Sequence, residues 1–149
     1  MRAVVQRVKN ASVSVDGDIV AKIDAGIVVL LGIAQDDTVK DMEYIADKCV
    51  NLRIFEDGQD VMNLSLKDIG AELLLVSQFT LYGDARKGRR PSYIKAAPPE
   101  DVRDLFEQCI YIFRERCDRL QTGTFQADMD VALVNDGPVT ILLDSRKEF

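Results

Sequence analysis

The residues with the most chemical capacity stand in the phrase Ser77-Gln78-Phe79-Thr80, where an apolar run from Leu73 to Val76 ends. That run reads as a strand covered on both faces. Strand geometry places Gln78 and Thr80 on one side and Ser77 and Phe79 on the other. Glutamine carries a donor and an acceptor, and hydroxyls or free backbone N–H groups at a strand end can stabilise an oxyanion. The same residues can equally do no more than satisfy the last backbone groups of the strand. Thr80 as a nucleophile would need an activating base, and the sequence offers no evident partner for it.

What the chain lacks narrows the chemistry. It has no histidine, so neither a Ser-His-Asp nor a Cys-His arrangement can form, and zinc loses its commonest nitrogen ligand. No metal and no cofactor is expected. The acids are uninformative: Asp101, Asp104 and Glu107 read as the wet face of a helix, and Asp128 and Asp130 share one face of a strand. No spacing among them specifies a paired-carboxylate hydrolase. Cys49, Cys109 and Cys117 are odd in number, lack a C-x-x-C spacing and fall within apolar helical patterns, as small buried hydrophobes do.

A net charge of −6 argues against non-specific binding to long nucleic acid. Against that background Arg86-Lys87-Gly88-Arg89-Arg90 sets four cations in five residues. It is either a solvated loop or a phosphate contact.

A second phrase, Asn135-Asp136-Gly137-Pro138-Val139-Thr140, contradicts itself as a hairpin. Asp-Gly between apolar strands is a strong turn signal. The proline that follows has a fixed φ, brings no N–H to a ladder, and restricts Gly137 before it. The corner therefore looks built to hold its backbone in an unusual, rigid pose. Both peptide isomers stay open, cis being the form of about 5–6% of X–Pro bonds in folded proteins.

The elements that must position these phrases can be read from periodicity. Residues 2–8 alternate, with Val4, Gln6 and Val8 on one face and Ala3, Val5 and Arg7 on the other. Residues 12–15 and 19–23 suggest a hairpin about Asp16-Gly17-Asp18, and residues 26–34 a covered central strand. Thr38 or Asp37 can cap a helix with apolar positions Met42, Ile45, Ala46, Cys49 and Val50. A second helix opens at Pro98-Pro99 and carries Val102, Leu105, Phe106, Cys109, Ile110, Phe113, Cys117 and Leu120 as its stripe, with Tyr111 and Ile112 off it. Two strands, 129–134 and 139–143, close the chain at the Gly-Pro corner. The expected fold is α+β: a mostly antiparallel sheet curled toward a partial barrel and covered by two main helices. Residues 1–149 read as a single domain, with no linker or repeat. No run approaches a membrane span and no apolar leader opens the sequence, so a cytoplasmic protein is expected.

The chain resembles the D-aminoacyl-tRNA deacylases along essentially its whole length. The resemblance is carried by Met1-Arg2-Ala3-Val4-Val5-Gln6-Arg7-Val8, Asn51-Leu52-Arg53-Ile54-Phe55-Glu56-Asp57, Met62-Asn63-Leu64-Ser65-Leu66, and Ser77-Gln78-Phe79-Thr80-Leu81-Tyr82. It continues through Arg86-Lys87-Gly88-Arg89-Arg90-Pro91-Ser92, Ala127-Asp128-Met129 and the Asn135–Thr140 corner. Such enzymes are homodimers that hydrolyse D-amino acids from mischarged tRNA. The resemblance implies a cis proline and a Gly137-Pro138 corner that enters the partner's active site. There its carbonyls would hold the α-amino group and leave no room for an L side chain. Glycine would pass, as from glycyl-tRNA mischarged on tRNA(Ala).

Further roles are implied by the same resemblance. Ser77, Gln78, Phe79 and Thr80 would lie at the ester and the terminal ribose, with the tRNA's own 2′-hydroxyl assisting hydrolysis. Phe125 and Met129 would help form an adenine pocket, Arg7 would support the corner, and Arg86, Lys87, Arg89 and Arg90 would meet the tRNA acceptor end. One position departs from the pattern. The family's usual Gly-x-Phe-Gly-Ala is here Gly123-Thr124-Phe125-Gln126-Ala127, which changes the allowed backbone and adds bulk beside the adenine pocket. Two other readings compete: a nucleic-acid binding module without turnover, and an enzyme with Thr80 as covalent nucleophile.

Overall fold

The computed structural model describes all 149 residues. Strands β1 (Arg2–Val15), β2 (Asp18–Ile23) and β3 (Gly26–Gly32) lead to helix α1 (Val39–Asn51). A two-stranded ribbon, β4 (Phe55–Glu56) and β5 (Met62–Leu64), and the short helix α2 (Leu66–Ile69) precede the central strand β6 (Glu72–Ser77). Helix α3 (Pro99–Arg114), β7 (Leu120–Thr122) and β8 (Asp130–Asp144) complete the chain. The main sheet has the order β2-β1-β3-β6-β7, with β8 paired to the other side of β1.

Pairing is antiparallel wherever β1 is involved, with β2, β3 and β8, and parallel in β3–β6 and β6–β7. The mostly antiparallel expectation holds, and the parallel pairs follow from α1 and α3, which carry the chain back across the sheet between those strands. The β1–β2 turn is made by Asp16 and Gly17, both at positive φ, as a two-residue hairpin with the right twist demands.

The curl comes from β1. Its register against β8 slips between Gln6 and Val8 and again between Val8 and Asn10. The extra residues of the first slip lie on β8 and that of the second on β1, which shifts the alternation of β1 beyond Val8 by one residue and sharpens the local twist. Ala3 and Val5 consequently pack with Ile27, Val29, Leu31, Leu73 and Leu75 under α1 and α3. Val8, Ala11 and Val13 instead join Ala21, Ile23, Val28, Leu74 and Val76 in a second core on the opposite face, covered by Met129, Val131 and Leu133. Strands β3 and β6 are buried on both sides, as their unbroken apolar runs require.

Three sequence expectations change. The two closing strands are one continuous β8, because Gly137 and Pro138 sit at the bulge between the pairs Gln6–Thr140 and Val8–Asn135, where no ladder bond is demanded of a proline. Helix α3 stops at Arg114, so Cys117 lies beyond it and Leu120 opens β7. Ile112, off the expected stripe, is buried, while Tyr111 is exposed. Helix α1 buries the five residues expected of it, and its cap is Thr38; Asp37 is buried and accepts from the N-terminal amine at 2.6 Å.

Candidate active site

Strand β6 ends at Ser77, and the chain does not continue as a strand. The Gln78 N–H still donates to the Leu31 carbonyl at 2.7 Å, after which Phe79–Tyr82 wind into a 3₁₀ turn lying across the end of β3. Gly32 permits that crossing: a Cβ there would stand 3.0 Å from Leu81 Cβ and 3.1 Å from the Gln78 carbonyl. The far end of the turn is tied by Arg2, whose Nη1 donates to the Leu81 carbonyl at 3.2 Å while its guanidinium lies 4.8 Å from the Tyr82 ring centre. As the first groups of the turn, the N–H donors of Phe79 and Thr80 have no acceptor within it. Gln78 and Thr80 do face one another, as alternation suggests, but across the turn: Gln78 Nε2 donates to Thr80 Oγ1.

A cavity of about 900 Å³ opens beside this turn. Ser77, Gln78 and Phe79 line it together with Phe125 and Met129. Gly123 makes room for the thioether, since a Cβ would lie 2.8 Å from Met129 Sδ. The Phe125 ring stacks on Phe106 at 6.0 Å, and the Arg103 guanidinium lies 5.7 Å from its centre. Phe79, more than half exposed, meets Tyr93 edge-on at 5.2 Å. The site thus joins a polar strand end, with two backbone donors unused within the turn, to a cavity lined mostly by apolar side chains.

Other expected site residues lie elsewhere. Thr80 is exposed and outside the cavity lining, and its hydroxyl is occupied by an amide donor, not a base. Gly137 and Pro138 are exposed, joined by a cis peptide bond, and likewise outside it. Arg7, which is buried, grips that bulge: Nε lies 3.2 Å from the Asp136 carbonyl and 3.3 Å from its carboxylate, and Nη1 donates to the Ile54 carbonyl at 2.5 Å. Along β1, Arg7 is four residues, about 13 Å of strand, from Ala3, which pairs with the cavity-lining Leu31.

The basic segment is an exposed loop closed by two backbone hydrogen bonds between Asp84 and Ser92, at 2.8 and 2.9 Å. Arg86 binds Asp84, and its hydrogen bonds hold that carboxyl well below the usual carboxylate range. Lys87, Arg89 and Arg90 have no acidic partner. The loop's descending arm, at Tyr93, Ala96 and Ala97, lines the cavity. Three cations are thus left unpaired in a loop whose outgoing arm borders the cavity.

The cysteines are buried, and burial pushes the thiol of Cys109 up to about 12 and raises those of Cys49 and Cys117. At neutral pH they are un-ionised core residues. No three Cys, Asp or Glu side chains cluster as metal ligands would.

Comparison with known proteins identifies the chemistry. The family model for D-Tyr-tRNA(Tyr) deacylase matches residues 4–144. The chain belongs to this family. It is 59% identical to the D-aminoacyl-tRNA deacylase of Kosmotoga olearia and 57% identical to that of Thermosipho africanus, each over 100% of both chains. A solved structure titled c-Myc DNA Unwinding Element Binding Protein matches with a TM-score of 0.92 at 41% identity, over 97% of this chain and 98% of that one. The chain is accordingly an enzyme of the D-aminoacyl-tRNA deacylase class, acting on the ester of aminoacyl-tRNA. No helix is long and apolar enough to cross a membrane.

Several residues at the cavity were not among the expected site residues. Tyr93, Gln126 and Asp128 line the cavity, and Arg103 flanks it from α3. Asp128 precedes β8 instead of sharing a strand face with Asp130. Only Gln126 carried a usable signal, as a departure from a glycine.

Proposed function

We propose that this deacylase hydrolyses D-aminoacyl-tRNA as a cytoplasmic homodimer, with the ester bound at Gln78 and the chirality read by Gly137-Pro138 of the second copy. The observation that supports the reading is that Gly137 and Pro138, beside the anchored Arg7, face solvent and lie outside the lining of their own chain's cavity. A second copy can bring them there. Strand β8 supports such pairing, since its outer edge is unpaired within the chain and it exposes the apolar side chains of Val134 and Leu142.

In the cavity, the terminal adenine would stack on Phe125 beside Met129, leaving the ribose and ester at Ser77-Gln78-Phe79-Thr80. The Phe79 and Thr80 N–H groups would receive the carbonyl oxygen as negative charge develops on it. Water attacks the carbonyl carbon, and the bond to the ribose oxygen breaks. The vicinal 2′-hydroxyl relays the proton from the water to the departing 3′-oxygen, giving free amino acid and tRNA. No protein base is required, in keeping with a chain that has no histidine. An L side chain would collide with the partner's Gly137-Pro138, whereas glycine, having none, would pass, including from glycyl-tRNA(Ala). Lys87, Arg89 and Arg90, with Arg86 in reserve behind Asp84, would meet acceptor-stem phosphates.

The test compares release of D- and L-tyrosine from charged tRNA. D-tyrosine alone should be released at an appreciable rate; equal rates, or no release of D-tyrosine, would overturn the reading. Binding of uncharged RNA or DNA without any ester turnover would favour a plain nucleic-acid binding module instead.

A further inference from the structure

Gln126 stands at φ +60°, a left-handed conformation that glycine adopts freely and a glutamine does not. Its side chain lines the cavity next to Phe125. Arg103 Nη2, reaching over from α3, donates to Gln126 Oε1 at 3.3 Å. A guanidinium has donors only, so the amide oxygen must face Arg103, and the orientation of the amide is thereby set. The Nε2 group is turned the other way and has no hydrogen-bond partner within the protein. The same guanidinium lies over the Phe125 ring, so one cation fixes both the aromatic platform and the amide beside it.

We propose that Gln126, oriented by Arg103, is a specificity-determining residue that donates its Nε2–H to a ring nitrogen of the purine seated on Phe125. The proposal rests on the reading of the cavity as the seat of the substrate's terminal nucleotide. A slot lined by Phe125 and Met129 recognises only flatness and apolarity, which every base offers. A donor in the plane of the ring distinguishes a base with an acceptor at that point from one without. Arg103 is a positioning residue here, acting through the amide.

The experiment uses D-tyrosyl-tRNA carrying 1-deaza-, 3-deaza- or 7-deazaadenosine as its last nucleotide, each replacing one acceptor nitrogen by C–H with little change of shape. For the unaltered enzyme, one of the three should lower kcat/KM roughly 5- to 10-fold, the worth of one hydrogen bond. That penalty should vanish in Gln126→Gly, whose backbone is relieved at this φ and which therefore folds. In Arg103→Leu, where the amide is free to turn, the penalty should shrink. Equal hydrolysis of all three analogues by the unaltered enzyme, or the same penalty in Gln126→Gly, would overturn the proposal. Failure to hydrolyse the unmodified D-tyrosyl-tRNA would overturn the functional reading, and this proposal with it.

Discussion

Arg7 stands against Gly137 so closely that a Cβ on the glycine would lie 2.9 Å from Arg7 Nη2. The arginine cannot easily yield, because it is buried and tied to the carbonyls of Ile54 and Asp136. Gly137 also sits at φ +114°, where an L side chain is strained. Glycine at this bulge is therefore demanded twice, by space and by backbone.

Gly137→Ala should accordingly displace Arg7 and distort the bulge, with a loss of stability of about 1–3 kcal/mol by denaturant unfolding. Release of D-tyrosine should fall while circular dichroism shows the fold retained. An alanine variant that releases D-tyrosine normally would separate the bulge from substrate binding.

Thr80→Ala tests the nucleophile reading. The hydroxyl accepts from Gln78 Nε2 and has no base beside it, so turnover should stay within about tenfold of the unaltered enzyme. A substrate whose terminal 2′-hydroxyl is replaced by hydrogen should instead lose on the order of 100-fold or more in kcat, the usual scale of positioned acid–base assistance. The reverse pattern would make Thr80 the nucleophile.

Salt dependence reports the basic loop. Replacing Lys87, Arg89 and Arg90 together with alanine should raise KM for D-aminoacyl-tRNA and reduce the slope of log K against log salt by about 2–3, since each cation that meets a phosphate releases close to one counterion. Arg86→Ala should do less, because Asp84 already holds that guanidinium. An unchanged KM in the triple variant would remove the loop from tRNA binding.

Acid stability should pass through Asp41. Burial opposes its ionisation, but the neighbouring Ser145 hydroxyl and hydrogen bonds from the N–H and hydroxyl of Thr38 outweigh it and hold the carboxyl at about 2, against an ordinary 3.8. A carboxyl depressed by folding adds stability that is complete above its unfolded value and is lost as pH falls through the folded one. Unfolding free energy should therefore decline between pH ~4 and ~2. Asp41→Asn should lower stability at neutral pH by about 1 kcal/mol, the worth of a helix cap, and flatten that decline. An equally steep decline in the variant would assign it to other carboxyls.

The sequence carried the fold class, the five buried positions of helix α1, and the phrase from Ser77 to Phe79 that lines the cavity. Alternation found β6 and its polar end because a doubly buried strand has few other ways to be written. It failed at Gly137-Pro138, reading a corner between strands where β8 runs on, since a bulge and a turn share the same residue preferences. It also failed past Ser77, where a 3₁₀ turn replaces the strand and Gly32, far away in sequence, provides the space. The Arg103–Gln126 pair was invisible for a similar reason: its members are 23 residues apart and belong to no common period. Strand β7 was missed because it has only three residues.

A mixed-dimer experiment tests most directly whether one subunit's bulge completes the other's cavity. Gly137→Ala and Gln78→Ala chains, each of which should release D-tyrosine poorly alone, are unfolded together, refolded in equal amounts and assayed for release of D-tyrosine. Half of the dimers would be mixed, and each would hold one cavity with an intact Gln78 facing an intact Gly137. About a quarter of the unaltered activity should return. Mixed dimers with no activity above that of the separate variants would show that each bulge serves its own chain, and would contradict the account.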